Sequence, residues 1–263
     1  MSHTATWRPP GTFPYRWIGP ALWLGVGAFL VWNALNLEVD PARIHRGLAR
    51  AGQVFARAFP PDFHRWPLLL EGIVESVQMA TLSTALGTAL GIPIAVLAAR
   101  NVVPLPLYLT GRATVSLART FHEIIVAIVL VKAVGFGPLA GTLTLTFNSL
   151  GFFSKLLAEQ IEQIDRGQVE AVRATGAGRG AVLLFGVLPQ VLPRIVGLTV
   201  YQWDIHLRQS TIIGIVGAGG IGATLYNSFS RYDYDFTLAI LLVIVAIVSA
   251  GEGASAWVRQ RIQ

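Results

Sequence analysis

Asp204, His206 and Arg208 place a carboxylate, an imidazole and a guanidinium close together in a stretch rich in apolar residues. The guanidinium is a planar donor fork that suits an oxyanion. Charges inside a membrane span are costly and mark functional positions by default. Asp204 and Arg208 are also four residues apart, the spacing at which two such side chains pair on one helix. Two readings stay open: a contact to an anion, or a self-contained ion pair. Arg119 and Glu123 share the spacing, with His122 beside them, and a structural pair is expected there. Thr146 and Asn148 are expected to serve packing between helices. Glu71 and Glu75 are expected to flank a helix start, where acids favour the N-terminal dipole. Pro189 to Pro193 is expected to open the span that carries Arg208, since proline suits a first turn.

Other chemistries lack their residues. The run Gly217-Ala218-Gly219-Gly220-Ile221-Gly222 fits the glycine fingerprint of dinucleotide-binding folds. That fold needs alternating strands and helices and an acid about 20 positions on. Here long apolar stretches surround the glycines, and Asp233 and Asp235 follow a Tyr-rich segment expected to be a loop. The glycines are expected to break the end of a helix. Irregular backbone at membrane depth survives only when buried in protein or lining a cavity. Cysteine is absent, which excludes disulfides and thiolate chemistry. His3, His45, His64, His122 and His206 are scattered without ligand spacing, so no metal site is expected. The phosphate-binding pattern Gly-x-x-x-x-Gly-Lys-Ser/Thr does not occur, so ATP hydrolysis is not expected of this chain.

Of 263 residues, 53% are hydrophobic and only 13% charged, with a mean hydropathy of +0.58. Soluble domains carry about 25% charged residues. A soluble enzyme is therefore excluded, and a net charge of +6 from so few charges makes no nucleic-acid surface. The composition is that of an all-α integral membrane protein.

A span needs roughly 20 mostly apolar residues. Six candidates follow: Trp17 to Leu37, the stretch between Glu75 and Arg100, Val115 to Val134, the stretch between Lys132 and Lys155, Val187 to Val216, and Phe236 to Trp257. The first is followed by Glu38-Val39-Asp40-Pro41 rather than a small-residue cleavage site, and reads as a retained span. In the second, Ala80, Ser83, Gly87 and Gly91 recur at intervals suited to close helix packing. Arg8 and Arg16 precede the first span, and Arg259 and Arg261 follow the last, which puts both termini on the cytoplasmic face. Residues 38–67 would then be external despite five arginines. Ile44, Leu48, Ala51, Phe55 and Phe59 share one helical face, which suits an amphipathic helix at the membrane interface. Two regions result, 1–67 and a core of 68–263.

The longest strongly polar loop of the second half runs from Glu159 to Gly178. It reads as a short amphipathic helix broken at Gly176 and Gly178, with a second helical leg after it. Physics alone makes it a cytoplasmic connector. Its pattern, however, Glu170-Ala171-Val172, Gly176, then Leu188-Pro189, resembles the Glu-Ala-Ala loop of binding-protein-dependent ABC importer permeases, with matching spacing throughout. Val172 stands where that family has its second alanine, and Gly186 where an aliphatic residue is usual, leaving a packing position empty. The resemblance covers about Leu70 to the C-terminus. It implies the type I ABC importer permease fold with six transmembrane helices. It further implies that Glu170, Ala171, Val172, Arg173, Ala174, Thr175 and Gly176, with Leu188 and Pro189, form the helix that couples to an ATPase.

Three further phrases are similar to the phosphonate-type branch in its own order: Ala133 to Gly141, Gly151 to Glu159, and Arg208 to Gly222. His122 departs from the proline expected before Glu123. The resemblance implies a permease for phosphonate, phosphate or phosphite in the bacterial plasma membrane. It implies a second copy of the chain, two cytoplasmic ABC ATPase subunits that bind ATP and magnesium, an external substrate-binding protein and surrounding lipid. No cofactor belongs to the chain itself. The translocation pathway is then expected along Asp204, His206, Arg208, Ser210, Gly217, Gly219, Gly220 and Gly222. Alternatives are an ion-coupled secondary transporter, for which no internal repeat is visible, or an ABC permease for methionine or an osmoprotectant.

Overall fold

The computed structural model describes residues 17–37 and 40–262. The expected cytoplasmic tail with Arg8 and Arg16 lies outside the described residues, as do Glu38 and Val39. Among the described residues every regular element is helical. They divide into two units, one ending at Ala56 and one beginning at Arg57.

The first unit holds α1 (Ile18–Asn36) and most of α2 (Pro41–Ala58). In α2, Ile44, Leu48 and Phe55 are exposed and lie on one face, and the helix carries Arg43, Arg46, Arg50 and Arg57 without an acid.

The second unit is built around α3 (Trp66–Leu97) and α6 (Pro138–Glu162). The small residues of α3 make this approach possible. Ala80, Ser83, Gly87 and Gly91 are all buried, and a Cβ on Gly91 would stand 2.8 Å from the Phe153 ring of α6. At 25 residues α6 is long, but Thr142, Thr144, Thr146, Asn148, Ser149 and Ser154 make it too polar to qualify as a span by composition. Among the described residues four helices are long and apolar enough to cross a membrane, or five if one bent pair counts as a single span, against the six expected.

That bent pair corrects the expected third span. α4 (Leu105–Thr120) and α5 (Glu123–Val134) meet at 86° across Phe121 and His122, both extended. His122 caps α5, its Nδ1 accepting from the Ile124 N–H at 3.4 Å. Arg119 and Glu123 therefore sit on different helices and form no ion pair. The spacing rule fails because it presumes one continuous helix.

After α6 come α7 (Arg166–Ala174), the three-residue α8 (Arg179–Ala181), a π-helical turn (Val182–Val187) and α9 (Leu188–Gly214). From Arg179 to Gly214 the path is one helical run. The run starts ten residues before Pro189, but α9 itself opens at Leu188 with Pro189 in its first turn, as expected, while Pro193 lies inside the helix. Proline removes an amide from the helical ladder, and the backbone widens into π geometry directly before Pro189. The Tyr-rich segment expected as a loop overlaps the second half of α10 (Gly220–Ser230), and α11 (Tyr234–Ile262) completes the unit.

Candidate functional site

α7 is the structured part of the polar loop. Asp165 caps it, its Oδ1 accepting from the Gly167 N–H at 2.8 Å. Val169 and Val172 turn inward, while Glu170, Ala171, Arg173, Ala174, Thr175 and Gly176 are exposed. Glu170 and Arg173 enter no ion pair among the described residues. Gly176 closes the helix at φ +80°, a conformation that L side chains rarely adopt. The predicted break therefore sits where it is expected, and the second leg follows from Arg179.

The position left empty by Gly186 is filled from α7. A Cβ on Gly186 would stand 3.4 Å from Val169 Cα and 3.6 Å from Val172 Cγ2. Gln190, one turn further on, bonds three ways. Its Oε1 accepts from the Asp165 N–H at 2.9 Å, and its Nε2 donates to the Gly186 carbonyl at 2.7 Å and the Asp165 carbonyl at 3.3 Å. α7 is thus fixed both by packing and by hydrogen bonds to the helical run that continues to Gly214. Leu188 is half-buried and Pro189 exposed in that run. A cleft of about 440 Å³ lies beside α7, lined by Arg166, Glu170, Arg173 and Arg179 and closed from the α3–α4 turn by Asn101.

On α9, Arg208 Nη2 lies 3.4 Å from Asp204 Oδ2. The arginine side chain is 56% exposed and the aspartate 7%, so the acid is anchored in the protein and the base reaches outward. Asp204 Oδ1 is buried without a partner. His206 does not join them on the exposed side: it is fully buried between α3, α6 and α9. The hydroxyls of Ser83 and Thr84 donate to the carbonyls of Met79 and Ala80. They can therefore only accept from His206 Nδ1, at 2.9 Å each. Nε2 then accepts from Ser149 Oγ at 3.0 Å and Gln202 Nε2 at 2.8 Å. Ser210 is likewise buried, donating to the Leu207 carbonyl at 2.7 Å.

The glycine run does break the helix. Gly217, Gly219 and Gly220 have φ of +95°, +83° and +72°. The turn is held on two sides. The Gly137 N–H donates to the Gly217 carbonyl at 3.0 Å. Glu75 Oε2 accepts from the Gly220 N–H at 2.8 Å, and Ser76 Oγ from the Ile221 N–H at 3.0 Å. Gly219, Gly220 and Gly222 are buried in protein. Glu75 thus caps α10 rather than the start of its own helix, a long-range pairing that spacing along the chain cannot reveal. Thr146 bonds its own helix at the Thr142 carbonyl, whereas Asn148 reaches across to Glu123 and Gln209. Among the described residues no group of three or more His, Asp or Glu could hold a metal ion.

Comparison with known proteins gives consistent matches. The family model described as the binding-protein-dependent transport system inner membrane component matches residues 91–263. A phosphate-import permease of Mycolicibacterium smegmatis is 42% identical over 228 residues, covering 86% of this chain but 43% of that protein. The chain thus spans less than half the length of that relative. A phosphite transport system permease of Stutzerimonas stutzeri is 37% identical over 244 residues, covering 92% of this chain and 88% of its own. Among solved structures, the inward-facing MetNI methionine ABC transporter has a TM-score of 0.66 at 25% identity, covering 74% of this chain and 96% of that one.

Proposed function

Since the chain belongs to the family of binding-protein-dependent transport system inner membrane components, it is a transport subunit and not an enzyme, and we propose that it forms the membrane path of an ABC importer for phosphonate, phosphate or phosphite. Its fold is that of the type I importer permeases. The phosphorus oxyanion is favoured by the extensive identity to permeases named for phosphate and phosphite.

In this reading the exposed face of α7 docks on a cytoplasmic ATPase, which binds ATP and magnesium. Glu170 and Arg173 supply charge-assisted bonds to it. One chain presents one such helix, so two copies serve two ATPase subunits. An external protein delivers the substrate. The chain sits in the plasma membrane with both termini cytoplasmic. The observation that supports coupling is the Gln190 bridge. Through it, and through Val169 and Val172 against Gly186, a displacement of α7 passes to the helical run that carries Asp204 and Arg208. Those two residues, with the glycine turn, are the reading's pathway residues. His206 and Ser210 support the helix from inside.

The stoichiometry is tested by native mass measurement of the complex extracted from its own membranes. Two copies of this chain with two ATPase subunits are expected, and Glu170→Ala should release the ATPases. A transporter made of this chain alone, carrying substrate without any ATPase, would overturn the reading.

A further inference from the structure

We propose that Glu123 and Gln209, held together by Asn148, form a contact site for an oxyanion that still carries an acidic hydroxyl. The inference rests on the phosphorus-oxyanion reading above and names the residues that would distinguish the protonation state of that cargo.

Position comes first. Glu123 opens α5 at the 86° bend, and Asn148 lies ten residues after the start of α6 at Pro138. Glu123, Asn148 and Gln209 are each half-buried and come from three helices of the second unit. A half-exposed carboxylate in a membrane bundle cannot face lipid without a large cost. Its chain must turn this face towards water or another protein surface.

Glu123 has no cation within ion-pair distance among the described residues. Charged and titratable neighbours are all engaged elsewhere or turned away. His122 caps its own helix, and Arg119 lies across the 86° bend with its stem over Gly151. On α9, Arg208 is paired with Asp204. The carboxylate therefore pairs with no side-chain cation among the described residues; it opens α5, where it faces only the partial charge of that helix's N-terminus.

Hydrogen-bond valence then gives the ligand. Asn148 Nδ2 donates to Glu123 Oε2 at 3.3 Å and to Gln209 Oε1 at 3.4 Å, using both of its hydrogens. Asn148 is the positioning residue. It orients Gln209 so that the Nε2 donors remain available, and it leaves Glu123 Oε1 as an acceptor. An ionised carboxylate can only accept. One donor group beside one obligate acceptor fits an anion that offers both an ionised oxygen and an O–H. A monoprotonated phosphonate or phosphite has this pair, and an anion that has lost its last hydroxyl meets the carboxylate as a like charge.

The test is uptake of labelled methylphosphonate by cells that carry the complete transporter and no other importer for phosphorus oxyanions. Rates are measured on both sides of the ligand's second dissociation and expressed as variant over wild type at each pH. This ratio removes the external protein's own pH dependence. For Glu123→Gln, whose amide no longer repels the dianion, the ratio should start well below one. It should then rise on the order of tenfold as the hydroxyl is lost. Gln209→Glu adds a second obligate acceptor, so its ratio should fall over the same range. It decides the matter alone if Glu123→Gln does not reach the membrane. A ratio that is flat with pH, whether near one or low, overturns the inference and leaves the importer reading intact. A wild-type chain that imports no phosphorus oxyanion overturns the importer reading and this inference with it.

Discussion

Val172 packs into the space left by Gly186: Val172 Cγ2 lies 3.6 Å from where a Cβ on Gly186 would stand. These are the two positions at which the loop departs from the pattern of its family, and they touch. The larger residue on α7 supplies the volume that the smaller one on the helical run lacks. Val172→Ala should therefore open a gap and cost roughly 1–2 kcal/mol, at about 0.8 kcal/mol per buried methyl-sized group. Adding Gly186→Ala should recover part of it, because a methyl there meets Val169 Cα at an ordinary contact of 3.4 Å. A double-mutant cycle on ATP hydrolysed per substrate imported reads the coupling. Strictly additive losses would show that the two residues do not act together.

Gln190 ties the start of α7 to the π turn through three hydrogen bonds. Gln190→Leu removes all of them while keeping the bulk. Each exposed bond contributes about 0.5–1.5 kcal/mol, so the loop should loosen without unfolding the bundle. The expected phenotype is ATP hydrolysis that continues while transport per ATP falls. Hydrogen exchange should rise at residues 165–176 and remain unchanged in α3 and α6.

His206 is a fully buried tie between three helices. Replacing it with leucine leaves Ser149 and Gln202 without their shared acceptor. The expected loss is about 1–3 kcal/mol per buried unsatisfied group, read as a lower melting temperature of the extracted protein. Substrate delivery to the surviving folded fraction should be unaffected, because the ring does not reach the exposed face. Loss of transport at full stability would place His206 on the path instead.

Asp204 and Arg208 separate a pathway role from a scaffold role. Arg208→Ala is expected to slow import while the ATPase still docks, and it leaves an anchored carboxylate without its cation. Arg208→Lys should restore transport only in part, because an ammonium keeps the charge and loses the planar fork. If the pair is scaffold, Asp204→Asn with Arg208→Gln should import faster than either single variant.

Most of what made the chain a membrane transporter was legible in local sequence. Apolar length marked α1, α3, α9 and α11, and the small-residue spacing of Ala80 to Gly91 foretold the tight approach of α6. The loop pattern marked α7, including its end at Gly176. What stayed hidden depends on contacts between distant segments. The bend at Phe121–His122 falls where Arg119, His122 and Glu123 interrupt the expected third span, but no proline announces it. Glu75 looked like a helix-start acid because only the folded chain brings Gly220 beside it. α10 begins inside the glycine run, carries Tyr226 and is followed by Tyr232 and Tyr234, so its pattern resembled a loop. The group of Glu123, Asn148 and Gln209 comes from three helices and shares no sequence interval.

The most direct test of an ATP-driven importer is uptake into proteoliposomes that hold this chain with its ATPase and its loaded external binding protein. Labelled phosphate, phosphite and methylphosphonate would be followed with ATP and with a non-hydrolysable analogue. Accumulation of at least one of these anions against its gradient is expected with ATP alone, and it should vanish when the ATPase is omitted. Uptake that proceeds equally without ATP, or that follows an imposed ion gradient, would contradict the account.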